Sequence, residues 1–155
     1  MSHKLNEIEL TEFLLTESID EVNKLIQFIH PADILIAIRQ YEGVKLDLFK
    51  KLSPNIIADI IDDADDDEKY DLLSIHDDIM QKKIIHEMSS DELVDLLEAV
   101  TDDQAKNIMI KLDKEDVAEV TELLTYPPDS AGGIMATEFV SIKENMTIGD
   151  TLHYL

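Results

Sequence analysis

Four consecutive blocks of twelve residues share one pattern: SPNIIADIIDDA (53–64), DDDEKYDLLSIH (65–76), DDIMQKKIIHEM (77–88) and SSDELVDLLEAV (89–100). Each block has two adjacent apolar residues at its eighth and ninth positions, and the spacing continues on both sides. The six pairs are Leu48-Phe49, Ile60-Ile61, Leu72-Leu73, Ile84-Ile85, Leu96-Leu97 and Ile108-Met109. Such a coincidence has a probability of about 10⁻³ for independent positions, so the period indicates a repeating architecture.

A residue of a type that starts helices stands ahead of most pairs, in the same register. These residues are Ser53, Asp65, Asp77, Ser89, Thr101 and Asp113. Each side chain can accept a hydrogen bond from a free N–H group in the first helical turn. Twelve residues then hold a helix of about nine residues and a turn of about three, which is too short to be stable alone in water. We therefore predict an all-α superhelix of stacked hairpins, each of about 24 residues.

The first 28 residues are predicted to cap this array. Residues 4–15 form a plausible helix, and Ser18 can start a second one. The apolar face of that second helix is predicted to contain Ile19, Val22, Ile26 and Ile29. His30 and Pro31 then begin the array.

The composition changes near Tyr126, where we place a domain boundary between residues 1–125 and 126–155. Two prolines and two glycines, at 127–128 and 132–133, stop the helical pattern. Residues 138–142 alternate as a strand does, and Thr147 can cap a short helix that runs to Leu155. A lone strand and helix cannot bury a core, so this segment is predicted to be an incomplete α/β domain.

The charge and composition exclude several classes of function. With 35 acidic and 13 basic residues the net charge is −22, and Arg39 is the single arginine, which argues against binding to nucleic acid or anionic lipid. The absence of cysteine excludes disulfides and thiolate chemistry and fits the cytoplasm. No apolar run approaches the roughly 20 residues of a membrane-spanning helix. No motif of an enzyme stands out, since His76-Asp77-Asp78 lacks further metal ligands at suitable spacing, and we do not expect catalysis.

The acidic residues allow two interpretations. Asp91 and Asp95 are four positions apart, so both carboxylates share one face of a helix and repel each other unless a cation lies between them. A solvated acidic face is the simpler alternative, and Asp59 has the pattern of an ordinary exposed acid. The dense run from Asp59 to Asp71 does not fit a calcium loop, because Glu68 stands where such a loop needs glycine.

Five stretches resemble the cytosolic N-terminal domain of MgtE-type magnesium transporters, continuing into the first cystathionine-β-synthase-like (CBS) module. They are residues 29–34 (IHPADI), 88–95 (MSSDELVD), 126–135 (YPPDSAGGIM), 138–140 (EFV) and 146–148 (MTI). The stretch at 126–135 is the most specific. The helical repeats alone also resemble the N-terminal domain of the flagellar motor switch protein, which keeps open an acidic scaffold for protein interaction as the alternative function.

The resemblance implies a function and a set of residues. It implies a regulatory domain that binds Mg²⁺ weakly through Asp59, Asp91 and Asp95, with the backbone of Gly133 as a further candidate, and thereby favours a closed pore. It also implies partners: the CBS modules and transmembrane domain of the parent protein, as a homodimer at the cytoplasmic face of the cell membrane. Mg²⁺ suits such a site, because it is a hard cation that prefers oxygen ligands and keeps several waters.

Overall fold

Short helices follow one another through the part of the chain that the computed structural model describes, residues 7–40, 45–127, 129–133, 135 and 140–154. They are α1 (Glu7–Thr16), α2 (Ile19–Ile26), α3 (Pro31–Arg39), α4 (Lys45–Phe49), α5 (Pro54–Asp62), α6 (Asp66–Ser74), α7 (Asp78–Glu87), α8 (Ser90–Ala99), α9 (Asp102–Met109), α10 (Lys114–Leu123) and α11 (Ile148–Tyr154). No strand occurs within these ranges, which confirms the all-α prediction for the superhelix.

The twelve-residue repeat fixes where the helices of the array begin. Each of the six residues predicted to start a helix is the residue directly before one: Ser53, Asp65, Asp77, Ser89, Thr101 and Asp113. Five of the six apolar pairs are buried at both positions, and in the last pair Ile108 is buried while Met109 is half-buried. The repeat therefore sets both the turns and the core.

Seven of the described helices stack in two layers, in which each helix packs on the one two places along the chain. One layer contains α1, α3, α5 and α7, and the other contains α6, α8 and α10. The short α4 packs against α1 and α3. The side chains that are wholly enclosed between the layers include Phe49, Ile57, Ile60, Ile61, Leu72, Leu73 and Ile84.

The N-terminal cap matches the prediction except at Ile19 and at Ile29, which lies beyond the end of α2 although its side chain packs against the core. Ser18 accepts a hydrogen bond from the N–H of Glu21 and starts α2, where Val22 and Ile26 are buried. Ile19 is 54% exposed, so its predicted place on the apolar face is wrong. It is the first residue of a helix of two turns, and the core reaches only the following turns. The residues before Glu7 in the predicted first helix lie outside the described part of the chain.

After α10 the chain turns at Tyr126. The N–H of Ser130 donates to the carbonyl of Pro127 at 2.9 Å, and the N–H of Gly133 donates to that of Ser130 at 3.0 Å. Residues 140–142 do not form the predicted strand, since no second strand lies within the described ranges to pair with them, and residues 138–139 lie outside those ranges. Thr147 does start a helix, α11, by accepting from the N–H of Asp150. The assignment of this segment to an incomplete α/β domain remains a prediction.

Candidate metal-binding site

The three predicted carboxylates lie on two helices. Asp59 is on the exposed side of α5, between the buried residues Ala58 and Ile60. Asp91 and Asp95 lie one turn apart on α8, where Asp95 is exposed and Asp91 is half-buried. The buried sides of both helices consist of apolar residues of the repeat, so the repeat itself directs these acids outward.

The first turn of α8 is held by a capping box around Ser89. The backbone N–H of Ser89 donates to Oε2 of Glu92 at 2.7 Å, and its hydroxyl donates to Oδ1 of Asp91 at the same distance. Negative charge is also favourable at this end of a helix, because the free N–H groups there carry partial positive charge. The side chain of Asp91 is therefore oriented by its own helix.

Asp62 connects the two helices electrostatically. Its pKa is raised above the ordinary value, chiefly by burial and then by the negative charge of Glu92, with smaller contributions of the same sign from Asp63 and Asp95. Lys69 opposes this shift, and its ammonium group also donates to the Asp62 carbonyl oxygen at 3.2 Å. The end of α5 thus faces the acidic side of α8, in agreement with the direct packing of these helices.

Asp59 is influenced by the acids of its own helix. Burial raises its pKa, and the charges of Asp62 and Asp63 raise it further. We call the five carboxylates at Asp59, Asp62, Asp91, Glu92 and Asp95 the acidic face. Like charges so placed repel one another, and a divalent cation between them would offset that repulsion.

Two of the predicted residues, Asp59 and Asp95, each interact electrostatically with Asp62. Asp95 is linked to α5 through Asp62, whereas Gly133 belongs to the turn after α10, where Ser130 accepts from its N–H through both the carbonyl and Oγ. Sequence reasoning missed Asp62 and Glu92. Each lies three positions from a predicted residue, Asp59 or Asp95, and this spacing on one helical face was the available signal.

The acidic face does not enclose a cation by itself. Among the described side chains, none of its members belongs to a group of three metal-ligating residues whose ligand atoms all lie within 4.8 Å of one another. This open arrangement is typical of Mg²⁺ sites, in which one or two carboxylates act together with waters and a second surface.

A comparison with protein families identifies the chain. The model of the MgtE intracellular N domain matches residues 29–129, which include α3 to α10 and most of the 155 residues. The chain belongs to this family. The matched region contains all five residues of the acidic face, while Gly133 lies just beyond it.

Two solved structures resemble this MgtE N domain over nearly its whole length. A crystal structure of the soluble part of a magnesium transporter has 30% sequence identity and a TM-score of 0.79, and covers 96% of the chain. A crystal structure of the cytosolic domain of the Mg²⁺ channel MgtE in complex with ATP has 27% identity and a TM-score of 0.71 over 96% of the chain. The comparison with curated proteins found no match.

The chain spans only part of those two structures, 59% of the first and 61% of the second. Within the described residues, every helix is too short or too polar to cross a membrane.

Proposed function

We propose that this chain is a cytosolic regulatory domain of a magnesium transporter and that it senses Mg²⁺ through the acidic face. Two facts support the proposal: the membership of the MgtE intracellular N domain family, and the similarity to the soluble part of a magnesium transporter. The carrying observation is the packing of α5 on α8, which brings Asp62 within electrostatic reach of Glu92 and Asp95.

The acidic face has the chemistry that such a sensor needs. Carboxylate oxygens are the ligands that Mg²⁺ prefers, and the ion usually keeps several of its waters rather than entering a closed cage. A partial site on one surface binds weakly, and a second surface with further oxygen ligands strengthens it. The affinity then depends on whether the two surfaces are together, which is the requirement for a sensor.

The partner surface in this proposal is a pair of CBS modules, the first of which begins near residue 126. When Mg²⁺ is abundant, ions between the acidic face and these modules hold the parts together and favour a closed pore in the membrane domain. When Mg²⁺ is scarce, repulsion between acidic surfaces separates them. The exposed apolar side chains of Ile148 and Leu152 on α11, 82% and 70% accessible, would be covered by the rest of such a module.

The assembly and location follow from the same proposal. The parent protein is a homodimer whose membrane domain conducts Mg²⁺, with this domain on the cytoplasmic side. The backbone of Gly133 remains a candidate ligand in that assembly, and its carbonyl oxygen is the atom that a hard cation would use.

The test measures magnesium inhibition of the full-length transporter. We expect Asp91→Ala combined with Asp95→Ala to weaken inhibition by high cytosolic Mg²⁺, because the variant loses a ligand set that favours the closed state. The matched control is Asp103→Asn, which removes an exposed acid from α9, outside the acidic face. Unchanged inhibition in the double variant, with the domain folded as judged by circular dichroism, contradicts the proposed sensor and leaves the scaffold interpretation.

A further inference from the structure

A second group of ligating side chains lies away from the acidic face, where the end of α7 meets the start of α10. His86 is in the last turn of α7, Asp113 stands directly before α10, and Asp116 is in the first turn of α10. The Nε2 atom of His86 lies 3.6 Å from Oδ2 of Asp113, and its Nδ1 atom lies 3.9 Å from Oδ2 of Asp116. One ligand atom from each of the three residues lies within 4.8 Å of the other two.

The side chain of Asp113 does not cap the helix that follows it, although the position of Asp113 in the repeat predicts a cap. Asp77 stands at the equivalent place of the repeat, directly before α7, and its carboxylate accepts from the N–H of Met80 at 2.8 Å. Asp113 stands directly before α10, yet its carboxylate makes no such capping bond. It turns toward α7 instead, with Oδ1 3.4 Å from Nζ of Lys82 and Oδ2 toward His86. Lys82 therefore occupies one oxygen of Asp113, and the other faces the imidazole.

An open cavity of about 370 Å³ adjoins this group. His86 and Asp116 line it, and two further carboxylates, Glu87 and Glu119, stand at its wall. The remaining lining includes the apolar side chains of Ile85, Met88, Leu93 and Val120. The cavity thus has room for an ion with bound waters, together with more oxygen ligands than the three residues supply.

We propose that His86, Asp113 and Asp116 form a binding site for a divalent first-row transition metal such as Zn²⁺ or Co²⁺. Metal–nitrogen and metal–oxygen bonds of about 2.1 Å place neighbouring ligands about 3.4 Å apart in a tetrahedral site. The separations of 3.6 and 3.9 Å involve different nitrogens of His86, and only one nitrogen can bind the ion. One ligand atom from each of the three residues already lies within 4.8 Å of the other two, so side-chain rotations can reach the tetrahedral spacing. One histidine nitrogen and one or two carboxylates hold the ion, and water completes the coordination.

The imidazole of His86 determines which class of metal ion the site prefers. Neutral histidine nitrogen is a good ligand for Zn²⁺, Co²⁺ and Ni²⁺ and a poor one for Mg²⁺, which prefers oxygen throughout. The site therefore discriminates against the ion proposed for the acidic face. It also lies on different helices, α7 and α10 rather than α5 and α8, so it extends the proposed function without depending on it.

The alternative is an ion pair, in which a protonated His86 is attracted to the two aspartates and no metal binds. Both arrangements place the same atoms together, but they respond differently to a metal. A metal binds only to an unprotonated nitrogen of His86, so the metal and a proton compete for the imidazole. A plain ion pair leaves no saturable metal binding to detect.

The experiment titrates the chain with Zn²⁺ by calorimetry and with Co²⁺ by visible absorption, at neutral pH and in a constant excess of millimolar Mg²⁺. We expect one saturating equivalent and a Co²⁺ absorption band. The variants His86→Gln and Asp116→Asn should each weaken binding by at least about tenfold. The controls are His153→Gln on α11 and Asp103→Asn on α9, which remove an exposed histidine and an exposed carboxylate elsewhere and should leave the affinity unchanged.

Two outcomes overturn the proposal: equal Zn²⁺ affinity in His86→Gln and His153→Gln, or no saturable Zn²⁺ binding in the presence of the excess Mg²⁺. Because His86 is exposed and Asp116 is half-buried, both variants are expected to fold, and circular dichroism checks this. A failure here does not touch the magnesium proposal, which is tested by transport and by Asp91 and Asp95.

Discussion

The Nζ atom of Lys51 lies 2.8 Å from the carbonyl oxygen of Leu14, 37 residues earlier in the chain. The same ammonium group lies 2.8 Å from the carbonyl oxygens of Leu15 and Glu17. These carbonyls belong to the end of α1, where backbone acceptors have no partner within the helix and where positive charge is favourable. One side chain from the turn before α5 therefore completes the first helix of the array.

We expect Lys51→Met to lower the free energy of unfolding by about 1–3 kcal/mol, because it removes charge-assisted hydrogen bonds to three carbonyls. Chemical denaturation measures the change. The neighbouring Lys50→Met is the control, since Lys50 is exposed and forms a surface pair with Asp47 at 3.2 Å, which predicts a loss below about 0.5 kcal/mol. Equal losses in the two variants would show that Lys51 does not hold α1 in place.

His76 makes the stability of the fold depend on pH. Its ring packs edge-on against Phe49, with ring centres 5.5 Å apart, and its buried Nε2 atom has no hydrogen-bond partner among the described residues. Burial lowers the pKa of His76, although Asp77 partly opposes the shift. The unfolded chain therefore binds a proton more readily, and the free energy of unfolding decreases as the pH falls below about 6.5, by at most about 1.4 kcal/mol per pH unit.

The variant His76→Leu should show a weaker loss of stability than the wild type between pH 7.5 and pH 5, as measured by urea denaturation at each pH. His153→Leu is the control, because His153 is exposed on α11 and should leave the pH profile as it is. Parallel profiles for the wild type and His76→Leu would rule out His76 as the source of acid sensitivity.

The location of the acidic face predicts a stabilising substitution. The raised pKa of Asp62 means that its charge is unfavourable in the folded state, so the wild type gains stability as the pH falls through that raised pKa toward the ordinary 3.8. At pH 7 and low salt, Asp62→Asn should raise the free energy of unfolding by about 0.2–0.5 kcal/mol, and high salt should reduce the gain. Thermal melting at two ionic strengths measures it.

The control for this substitution is Asp103→Asn, which removes an acid with a 94% exposed side chain that pairs with Lys106 at 3.3 Å. No gain in stability is expected there. A destabilised Asp62→Asn variant would indicate that Asp62 supports the fold through contacts of its carboxylate rather than opposing it through charge.

Gly132 is required by the aromatic ring of Tyr126. A Cβ atom added at Gly132 would lie 2.6 Å from Cγ of Tyr126, so the ring would have to move. Gly132→Ala should therefore speed hydrogen exchange of the Ser130 and Gly133 amides, whose bonds form this turn, while the superhelix melts as before. In the control Gly149→Ala, the nearest atom is Thr147 Oγ1 at 3.8 Å, and alanine should stabilise α11 slightly. Unchanged exchange at Ser130 in Gly132→Ala would contradict this role.

The sequence was sufficient for the features that local chemistry determines. Helix starts and apolar pairs repeat every twelve residues, and each depends on residues within one turn or one helix. The sequence does not predict contacts between residues that are far apart along the chain. Asp65 starts α6 as expected, but its carboxylate pairs with Arg39 at 2.7 Å instead of capping the helix. Ile19 was misplaced for a similar reason, since burial at the end of a short helix depends on its neighbours.

The candidate sites also combine features that the sequence shows with features that arise only from packing between helices. Asp91 and Asp95 share a face because of their spacing, which the sequence shows, whereas the approach of Asp62 to α8 arises from packing between helices of opposite layers. The group at His86 and Asp113 was not foreseen, because its members are 27 positions apart and no ligand spacing in the sequence joins them. Sites assembled between repeats need the superhelical geometry.

Because the helices are divided between two layers, the number of helices in the array determines which layer contains the last one. Helices α6, α8 and α10 share one layer, so the chain that follows α10 leaves from the layer that carries Asp91 and Asp95. An extra block of twelve residues before the turn at Tyr126 would end the array in the opposite layer, whereas a block of 24 would restore the original side. A domain that docks against α8 would keep its position relative to the end of the array only if the array changed length by whole hairpins, two helices at a time.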